Sequence, residues 1–157
     1  MTWPLQSECL KMFGNPYAPG WGNLHIVHVN CPWQLYMGPL HIPYIKINKI
    51  AAESLTRVLN HVWDVCGKDP DKIHAIHADQ FSGDFVIRQM RGLHTISMHS
   101  YGLAIDFDAP HNHLGSPSHF FTESNPLIKA FLDEGWIWGG QWRGRPDSMH
   151  IQAARVG

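Results

Sequence analysis

The segment SMHSYGLAIDFD, residues 97–108, places one histidine and two aspartates in a run that alternates like a β-strand. After Gly102 every second residue is large and apolar, and Asp106 and Asp108 fall on the opposite face of an extended chain. A solvent-facing strand edge is the simplest explanation for two acids on one face. A metal or proton-transfer site is the alternative. The chain has twelve histidines, but their number alone selects no site.

His99 and Asp106 are residue types that a catalytic zinc ion uses as ligands. Such an ion takes three protein ligands at about 2.0 to 2.2 Å and keeps a fourth position open for water. Gly102 lies between the two residues and permits a backbone turn, so a loop histidine and a strand carboxylate can converge. The third ligand must come from another part of the chain.

The segment DSMHIQ near the C-terminus supplies a candidate for that ligand. Asp147 stands three residues before His150. If His150 binds the metal, Asp147 can reach the water at the open position without binding the metal itself, and can act as a general base. Alone, this spacing is more simply explained by a turn aspartate beside a strand histidine. Together with His99 and Asp106, it predicts a hydrolytic zinc site.

Two segments have helical patterns that could support such a site. Apolar residues repeat with helical spacing over residues 47–65, and Gly67 follows as a stop signal. A second helix is predicted with Asn125 as N-cap, Pro126 as its first residue and Gly135 just past its end. Both helices are expected to supply packing rather than chemistry.

The remaining patterns favour short strands. Residues 73–77 and 84–90 are strand candidates separated by the turn signal QFSG, and WIWGGQW and SMHIQ are two more, joined by the polar RGRPD turn. Strands and helices do not alternate strictly, so the predicted fold class is α+β with a mixed or antiparallel sheet. Residues 1–157 are expected to form a single domain, in which the proline-rich residues 1–45 form an irregular N-terminal wrap.

Composition excludes several classes of function. The net charge is −1, which provides no bulk attraction to nucleic acid or to anionic membranes, and no apolar run is long enough for stable membrane insertion. The first residues do not resemble a signal peptide, so synthesis in the cytoplasm is expected. The three cysteines form no CxxC pair and are expected to be free thiols; we also expect a monomer. The dinucleotide, P-loop and serine-hydrolase motifs are absent.

The motifs SxHxxGxAxD, WGGxW and DxMHxQ, at residues 97–106, 138–142 and 147–152, resemble a known family. This family is the zinc metallopeptidases that include D-alanyl-D-alanine carboxypeptidases and L-alanyl-D-glutamate endopeptidases. These enzymes cut bacterial peptidoglycan. The similarity covers roughly residues 45–155 and is closest to the branch that resembles phage endolysins. It implies a small α+β domain with an antiparallel sheet that holds Zn²⁺, as in Hedgehog-type domains. It also implies that His99, Asp106 and His150 are ligands and that Asp147, where many relatives have glutamate, is the general base.

Further candidate site residues each have more than one interpretation, and only the arginine is implied by the resemblance. The family's arginine that stabilises the oxyanion matches Arg88, with Arg91 as a rival. Ser97 either holds the motif loop or a polar group of the substrate, or is an ordinary turn serine. Trp138 either lines the substrate groove or belongs to the core. Asp108 either orients a ligand histidine or is a solvated turn residue.

The resemblance implies a peptidase that hydrolyses a peptidoglycan stem peptide. An L-alanyl-D-glutamate endopeptidase is preferred because the motif variants and the compact length are similar to those of endolysins. The alternatives are a D-alanyl-D-alanine carboxypeptidase and a zinc-stabilised module that binds the cell wall or a protein without cutting. Without a signal peptide, such an enzyme would reach the wall after holin-type release, in which another protein opens the membrane.

Overall fold

The computed structural model of the chain describes residues 2–90 and 93–157, which form an α+β fold. The predicted fold class is therefore confirmed. Two helices of eight or more residues are described, α3 (Ala52–Val65) and α5 (Pro126–Asp133), with shorter ones α1 (Cys9–Phe13), α2 (Trp21–His25) and α4 (Pro70–Ala75). In the parts of the chain that are described, no helix is long and apolar enough to cross a membrane.

The described strands form three small antiparallel sheets. The largest has the order β5 (Phe81–Gly83), β6 (Ala104–Phe107), β8 (His150–Gln152), β7 (Ile137–Trp138). In the two others, β1 (Ile26–Val29) pairs with β4 (Ile45–Asn48), and β2 (Leu35–Met37) pairs with β3 (Leu40–Ile42). The four-stranded sheet carries the residues of the C-terminal motifs.

The N-terminal residues 1–45 contain more regular structure than the predicted irregular wrap. Besides α1 and α2, they hold strands β1, β2 and β3 and the first residue of β4. Prolines and glycines lie at the breaks between these elements, which explains why the pattern looked irregular. That the chain forms a single domain stays a prediction.

Helix α3 confirms the later part of the first predicted helix. Its apolar stripe, Leu55, Val58, Leu59 and Val62, is buried, and Gly67 follows the end of the helix with φ 66°. The beginning was predicted wrongly, because residues 45–48 form strand β4. Their alternating buried side chains happen to continue the helical spacing.

The segment 73–77 was predicted as a strand and is a helix through residue 75. Asp69 caps α4 with its side chain, which accepts a hydrogen bond from the amide of Asp71 at 2.9 Å, and Pro70 begins the helix. An N-cap aspartate followed by proline is a standard signal for the start of a helix. It outweighs the strand-like apolar pattern of this segment, which is short.

The second strand candidate, 84–90, is also misplaced. The strand β5 is Phe81–Gly83, inside the predicted QFSG turn, whereas residues 84–90 form only an isolated bridge between Gln89 and Ile96. After β5 the backbone runs beside residues 97–100, which are not a strand. Val86 N donates to His99 O there, at 3.3 Å. The segment 84–90 therefore has no continuous strand ladder.

The second predicted helix is confirmed in its limits. The Asn125 side chain accepts from Leu127 N, Pro126 is the first residue of α5, and Gly135 follows with φ 84°. The ring of Phe131 on this helix packs against the ring of Phe107 on β6, and their centroids are 6.3 Å apart. One face of β6 therefore contacts the core, and the side chain of Asp106 points to the other face.

Candidate metal centre

Three side chains from distant parts of the chain converge on one side of the large sheet. His99 lies in the short 3₁₀ helix Met98–Tyr101, Asp106 lies in β6, and His150 lies in β8, directly opposite Asp106. Their potential ligand atoms all lie within 4.8 Å of one another. The two histidines are buried and Asp106 is half-buried. The arrangement is the one that the zinc hypothesis requires.

The local chain conformation presents His99 to the strand. Ser97 caps the 3₁₀ helix, and its hydroxyl accepts from the amide of His99 at 3.2 Å. Gly102 ends the helix with φ 67°, and a Cβ there would lie 2.9 Å from Asn48 N and collide with the Ile26 side chain. Glycine is therefore required both for the backbone conformation and for the close packing. The position of Ser97 favours its role as holder of the motif loop.

The hydrogen bond of His99 determines which of its nitrogens can bind a metal. Nδ1 lies 2.8 Å from the backbone carbonyl oxygen of Asp84. A carbonyl can only accept, so Nδ1 carries the hydrogen and Nε2 presents its lone pair. Nε2 is buried, lies 3.2 Å from Asp106 Oδ2 and has no partner with hydrogen-bond geometry.

His150 is oriented in the opposite sense by a glutamine. Its Nε2 lies 2.7 Å from Gln152 Oε1, and the Gln152 amide nitrogen donates to the carbonyl of Ala154 at 2.8 Å. That carbonyl identifies which end of the amide is nitrogen, so an oxygen faces His150 and Nε2 carries the hydrogen. Nδ1 is left with its lone pair, 3.2 Å from Asp106 Oδ1.

These contacts fit a bound cation. Two imidazole lone pairs face the two carboxylate oxygens of Asp106, each at 3.2 Å, and no hydrogen is available between them in the neutral tautomers. Two ligands bound at about 2.1 Å in tetrahedral geometry are about 3.4 Å apart. The donor set, two nitrogens and one oxygen, therefore has the types and the spacing of a divalent-metal site. Each histidine donates its second nitrogen to an oxygen, as ligand histidines usually do.

The electrostatics of the cluster also favour a positive charge. Burial alone raises the pKa of Asp106, but the imidazoles of His150 and His99, each 3.2 Å from a carboxylate oxygen, bring that pKa well below its ordinary value. Burial alone lowers the pKa of His150, yet Asp106 and then Asp147 raise that pKa above its ordinary value. The carboxylate of Asp106 therefore favours positive charge in this cluster, and a bound cation supplies such a charge.

Asp147 lies beside this cluster in the turn before β8. Its amide donates to Gly139 O at 2.8 Å, and a Cβ on Gly139 would collide with the backbone oxygen of Asp147. The glycine of the WGGxW motif thus permits the close approach that places this turn. Asp147 Oδ2 lies 4.0 Å from His150 Nδ1, which is beyond hydrogen-bond distance. The carboxylate is near the metal ligands without being one of the three converging groups.

The cluster opens into a cavity of about 480 Å³. Asp147 and the ligand candidates lie in its wall, and the cationic side chains Arg88, Arg143 and Arg145 line it too. The remaining wall is largely apolar, with contributions from Met90, Leu93, Leu114 and Met149. The cavity has room for a peptide segment and presents cationic groups that suit carboxylates or a developing oxyanion.

Arg88 is held in the cavity wall through its backbone. Its amide donates to the Ser100 hydroxyl at 2.8 Å, and that hydroxyl donates to the Arg88 carbonyl at 2.7 Å. The amide of Ser97 also donates to the Arg88 carbonyl, at 2.9 Å. Among the hydrogen bonds of the described residues, the guanidinium makes one, from Nη1 to its neighbour's carbonyl, Gln89 O, at 3.1 Å. Arg91, the rival candidate, lies outside the described residues.

Trp138 does not lie where a groove residue would. It is buried, its indole nitrogen donates to Ser148 O at 2.8 Å, and it is not among the residues that line the cavity. Its ring lies where a Cβ on Gly140 would be, so it packs under the glycine pair. Trp142 lines the cavity instead, with its ring 5.4 Å from that of His150. The interpretation of Trp138 as a groove residue is therefore corrected in favour of the core.

Asp108 does not orient either ligand histidine. Its φ of 47° breaks the strand alternation, so its buried carboxylate turns away from the cluster. It lies 2.7 Å from His111 Nδ1 and 2.6 Å from His77 Nδ1. These are hydrogen-bond lengths, shorter than the spacing of about 3.4 Å expected for two ligands of one tetrahedral ion. This second group is a hydrogen-bonded clamp of the neighbouring loop.

The sequence reasoning missed several contributors to the site. The carbonyl of Asp84 gives no sequence signal, because every residue has one. Ser100 and Gln152 stand within or next to the recognised motifs, so their types were visible but their partners were not. Gln6, which also lines the cavity, is far from every motif in the sequence.

The cysteines are not part of this site. Burial raises the pKa of the Cys9 thiol to about 11 and that of Cys31 to about 12, and burial also raises the pKa of Cys66. All three are free. Raised thiol pKa values make them poor nucleophiles.

Residues 91–153 match the family model of D-alanyl-D-alanine carboxypeptidases. That range contains the three converging side chains and Asp147. The match supports the resemblance inferred from the motifs, and with it a peptidase, and the converging His and Asp groups could bind its metal. No curated protein and no solved structure matches the chain.

Proposed function

We propose that this protein is a zinc-dependent peptidase that hydrolyses a peptide bond in peptidoglycan, with L-alanyl-D-glutamate endopeptidase as its activity. The observation that carries the proposal is the convergence of two imidazole lone pairs on the two oxygens of Asp106, each at 3.2 Å, beside Asp147. The match of residues 91–153 to a peptidase family supports it independently.

The proposed ligands are His99 through Nε2, Asp106 through its carboxylate and His150 through Nδ1. When bound, Zn²⁺ lowers the pKa of a coordinated water toward about 7 and polarises a carbonyl group. Two nitrogens and one oxygen favour zinc over the harder cations, which prefer all-oxygen sites. Elemental analysis of the purified protein tests the identity of the ion.

The catalytic residues of the chain then act on the substrate and the water. Asp147 takes a proton from the attacking water as general base and returns a proton to the leaving amine as general acid. Arg88 donates hydrogen bonds to the oxyanion that develops on the scissile carbonyl. Ser97 and Gly102 keep His99 in position throughout.

The cavity suits a peptide that carries carboxylates, because three arginines line it and its other walls are largely apolar. A peptidoglycan stem peptide has this character. We place the activity at the cell wall, which the protein would reach after another protein has opened the membrane. The resemblance to endolysins favours the L-alanyl-D-glutamate bond, whereas the family match favours a D-alanyl-D-alanine carboxypeptidase.

Digestion of purified Gram-negative cell walls tests the proposal. Zinc-loaded protein is incubated with walls, and the products are identified by mass spectrometry of the muropeptides. New amino termini on D-glutamate support the endopeptidase, and release of D-alanine supports the carboxypeptidase. Asp147→Asn is the inactive comparison, and Asp133→Asn, an exposed acid at the end of α5, is the matched control.

Zinc-loaded, folded protein that cleaves neither bond would refute the enzymatic proposal. If that protein still sedimented with the walls, it would be the zinc-stabilised binding module instead. The presence of both Asp147 and Arg88 in the cavity wall argues against this alternative, since a binding module needs neither a base nor an oxyanion donor.

A further inference from the structure

We propose that Gln152 and Gln6 are positioning residues of the metal centre: they hold the His150 ring with Nδ1 toward the ion. Through Gln6, the N-terminal segment becomes part of that centre. The inference rests on the ligand set proposed above. Gln152 lies inside the range matched by the peptidase family, whereas Gln6 and the N-terminal segment lie far outside it.

The first step is the saturation of the Gln152 amide. Its nitrogen has two hydrogens, and it donates to Gln6 Oε1 at 2.7 Å and to Ala154 O at 2.8 Å. Both donors are therefore used, and Oε1 is directed at His150 Nε2, at 2.7 Å. Gln152 is only 1% exposed, so no bulk water competes for these bonds. The amide has one stable orientation because the reversed one would place two pairs of acceptors in contact.

The second step is the fixed position of Gln6. Its amide donates to Arg155 O at 2.8 Å, and the amide of Arg155 donates to Pro4 O at 2.8 Å. The Arg155 side chain also donates from Nε to Trp3 O at 2.7 Å. The two ends of the described chain thus hold each other, and Gln6 is presented to Gln152 from a fixed backbone.

The third step is the effect on the metal ligand. A neutral imidazole has two tautomers, and only the one with hydrogen on Nε2 offers Nδ1 to the metal. An acceptor held at Nε2 selects that tautomer and the ring orientation. Loss of such an outer partner typically weakens metal binding by about 10-fold to 100-fold. His150 has this single acceptor at Nε2 among the hydrogen bonds of the described residues.

Zinc affinity measured by competition with a chromogenic chelator tests the inference. The proteins are the wild type, Gln152→Leu, Gln6→Leu and the double variant, with Ser7→Ala, an exposed neighbour in the same N-terminal turn, as control. We expect Gln152→Leu to raise the zinc Kd by about 10-fold to 100-fold. We expect Gln6→Leu to raise it by less, and the double variant to match Gln152→Leu, because Gln6 acts only through Gln152.

A second readout separates positioning from general loss of structure. In the zinc-loaded wild type, the Nε2 hydrogen of His150 is expected to give a ¹⁵N-coupled NMR signal that exchanges slowly with solvent, and this signal is expected to broaden or vanish in Gln152→Leu. If Gln152→Leu does not fold, as judged by circular dichroism, Gln6→Leu carries the test.

The outcomes are distinguishable from those of the proposed function. If the wild type binds no zinc, the metal centre is refuted and this inference with it. If the wild type binds zinc and both glutamine variants bind it equally well, the inference alone is overturned. It is also overturned if the effects of the two substitutions add fully, since that would mean that they act independently.

Discussion

Asp106 and His150 are directly paired residues on two neighbouring antiparallel strands, with His150 Nδ1 3.2 Å from Asp106 Oδ1. Their proximity is thus a property of the strand register. A slip of one residue between β6 and β8 would move one of the side chains to the opposite face of the sheet. The apolar face of β6, which packs on the core, prevents such a slip. The core therefore also determines the geometry of the metal centre.

Substitution of Asp147 by Asn is expected to reduce the hydrolysis rate by about 100-fold to 10,000-fold, because the amide cannot accept the proton of the attacking water. Zinc affinity is expected to change little, since Asp147 lies outside the three converging groups. The measurements are muropeptide release and chelator competition on the same preparations. A large loss of zinc affinity with little loss of rate per bound zinc would contradict the role of a base.

Substitution of Arg88 by Ala is expected to lower kcat by about 100-fold to 1000-fold, or roughly 3 to 4 kcal/mol in transition-state stabilisation. The Arg88 guanidinium acts on charge that develops during the reaction, so its loss should change KM less than kcat. Steady-state kinetics on a soluble stem peptide measure both. The matched comparison is Arg91→Ala: if that substitution has the larger effect on kcat, the oxyanion role belongs to Arg91.

Zinc binding is expected to weaken as the pH falls and to release protons. The pKa of His150 lies above its ordinary value, chiefly through Asp106 acting against burial, so protons compete with zinc for this ligand. Calorimetric titration in buffers of different ionisation enthalpy measures the number of protons released. Affinity that does not change between pH 6 and pH 8 would count against these ligands.

The metal-free protein should become less stable as the pH rises, whereas zinc binding becomes stronger as the pH rises. The raised pKa of His150 contributes stability that is complete below about pH 6.5 and is lost as the pH rises through the folded-state pKa. The lowered pKa of Asp106 contributes stability above about pH 4, which is lost only in acid. Denaturant titrations with chelator should therefore give greater stability at pH 5.5 than at pH 8.5. Added zinc should restore stability at pH 8.5.

Substitution of Ser54 by Ala should lower the free energy of unfolding by about 1 to 3 kcal/mol, because it leaves a buried indole N–H without an acceptor. The Ser54 hydroxyl accepts from Trp136 Nε1 at 2.8 Å and donates to Glu134 at 2.8 Å, which joins α3 to the end of α5. Thr56→Ala on the exposed side of α3 is the control. Urea denaturation measures the change, and zinc affinity should be unaffected.

Local signals in the sequence predicted the parts of the fold that local interactions determine. The limits of α5 were correct because Asn125, Pro126 and Gly135 act on their own immediate backbone. The same kind of signal at Asp69 and Pro70 marked α4, and the strand prediction there was wrong because it followed a short apolar pattern instead. Strand β5 was missed because a three-residue strand is defined by its partner, β6, rather than by its own residues.

The residue types and spacings of the motifs determined by themselves which side chains are candidates for the metal centre, since two imidazoles and a carboxylate suffice to bind zinc. The tertiary structure decided which of their atoms meet. Strand register, the carbonyl of Asp84 and the amide of Gln152 select the nitrogens that face Asp106. It also decided that Asp108 turns away, that Trp142 rather than Trp138 lines the cavity, and that Gln6 reaches the site. Hydrogen bonds and packing between residues far apart in the chain depend on relative position, which the order of residues in one segment does not contain.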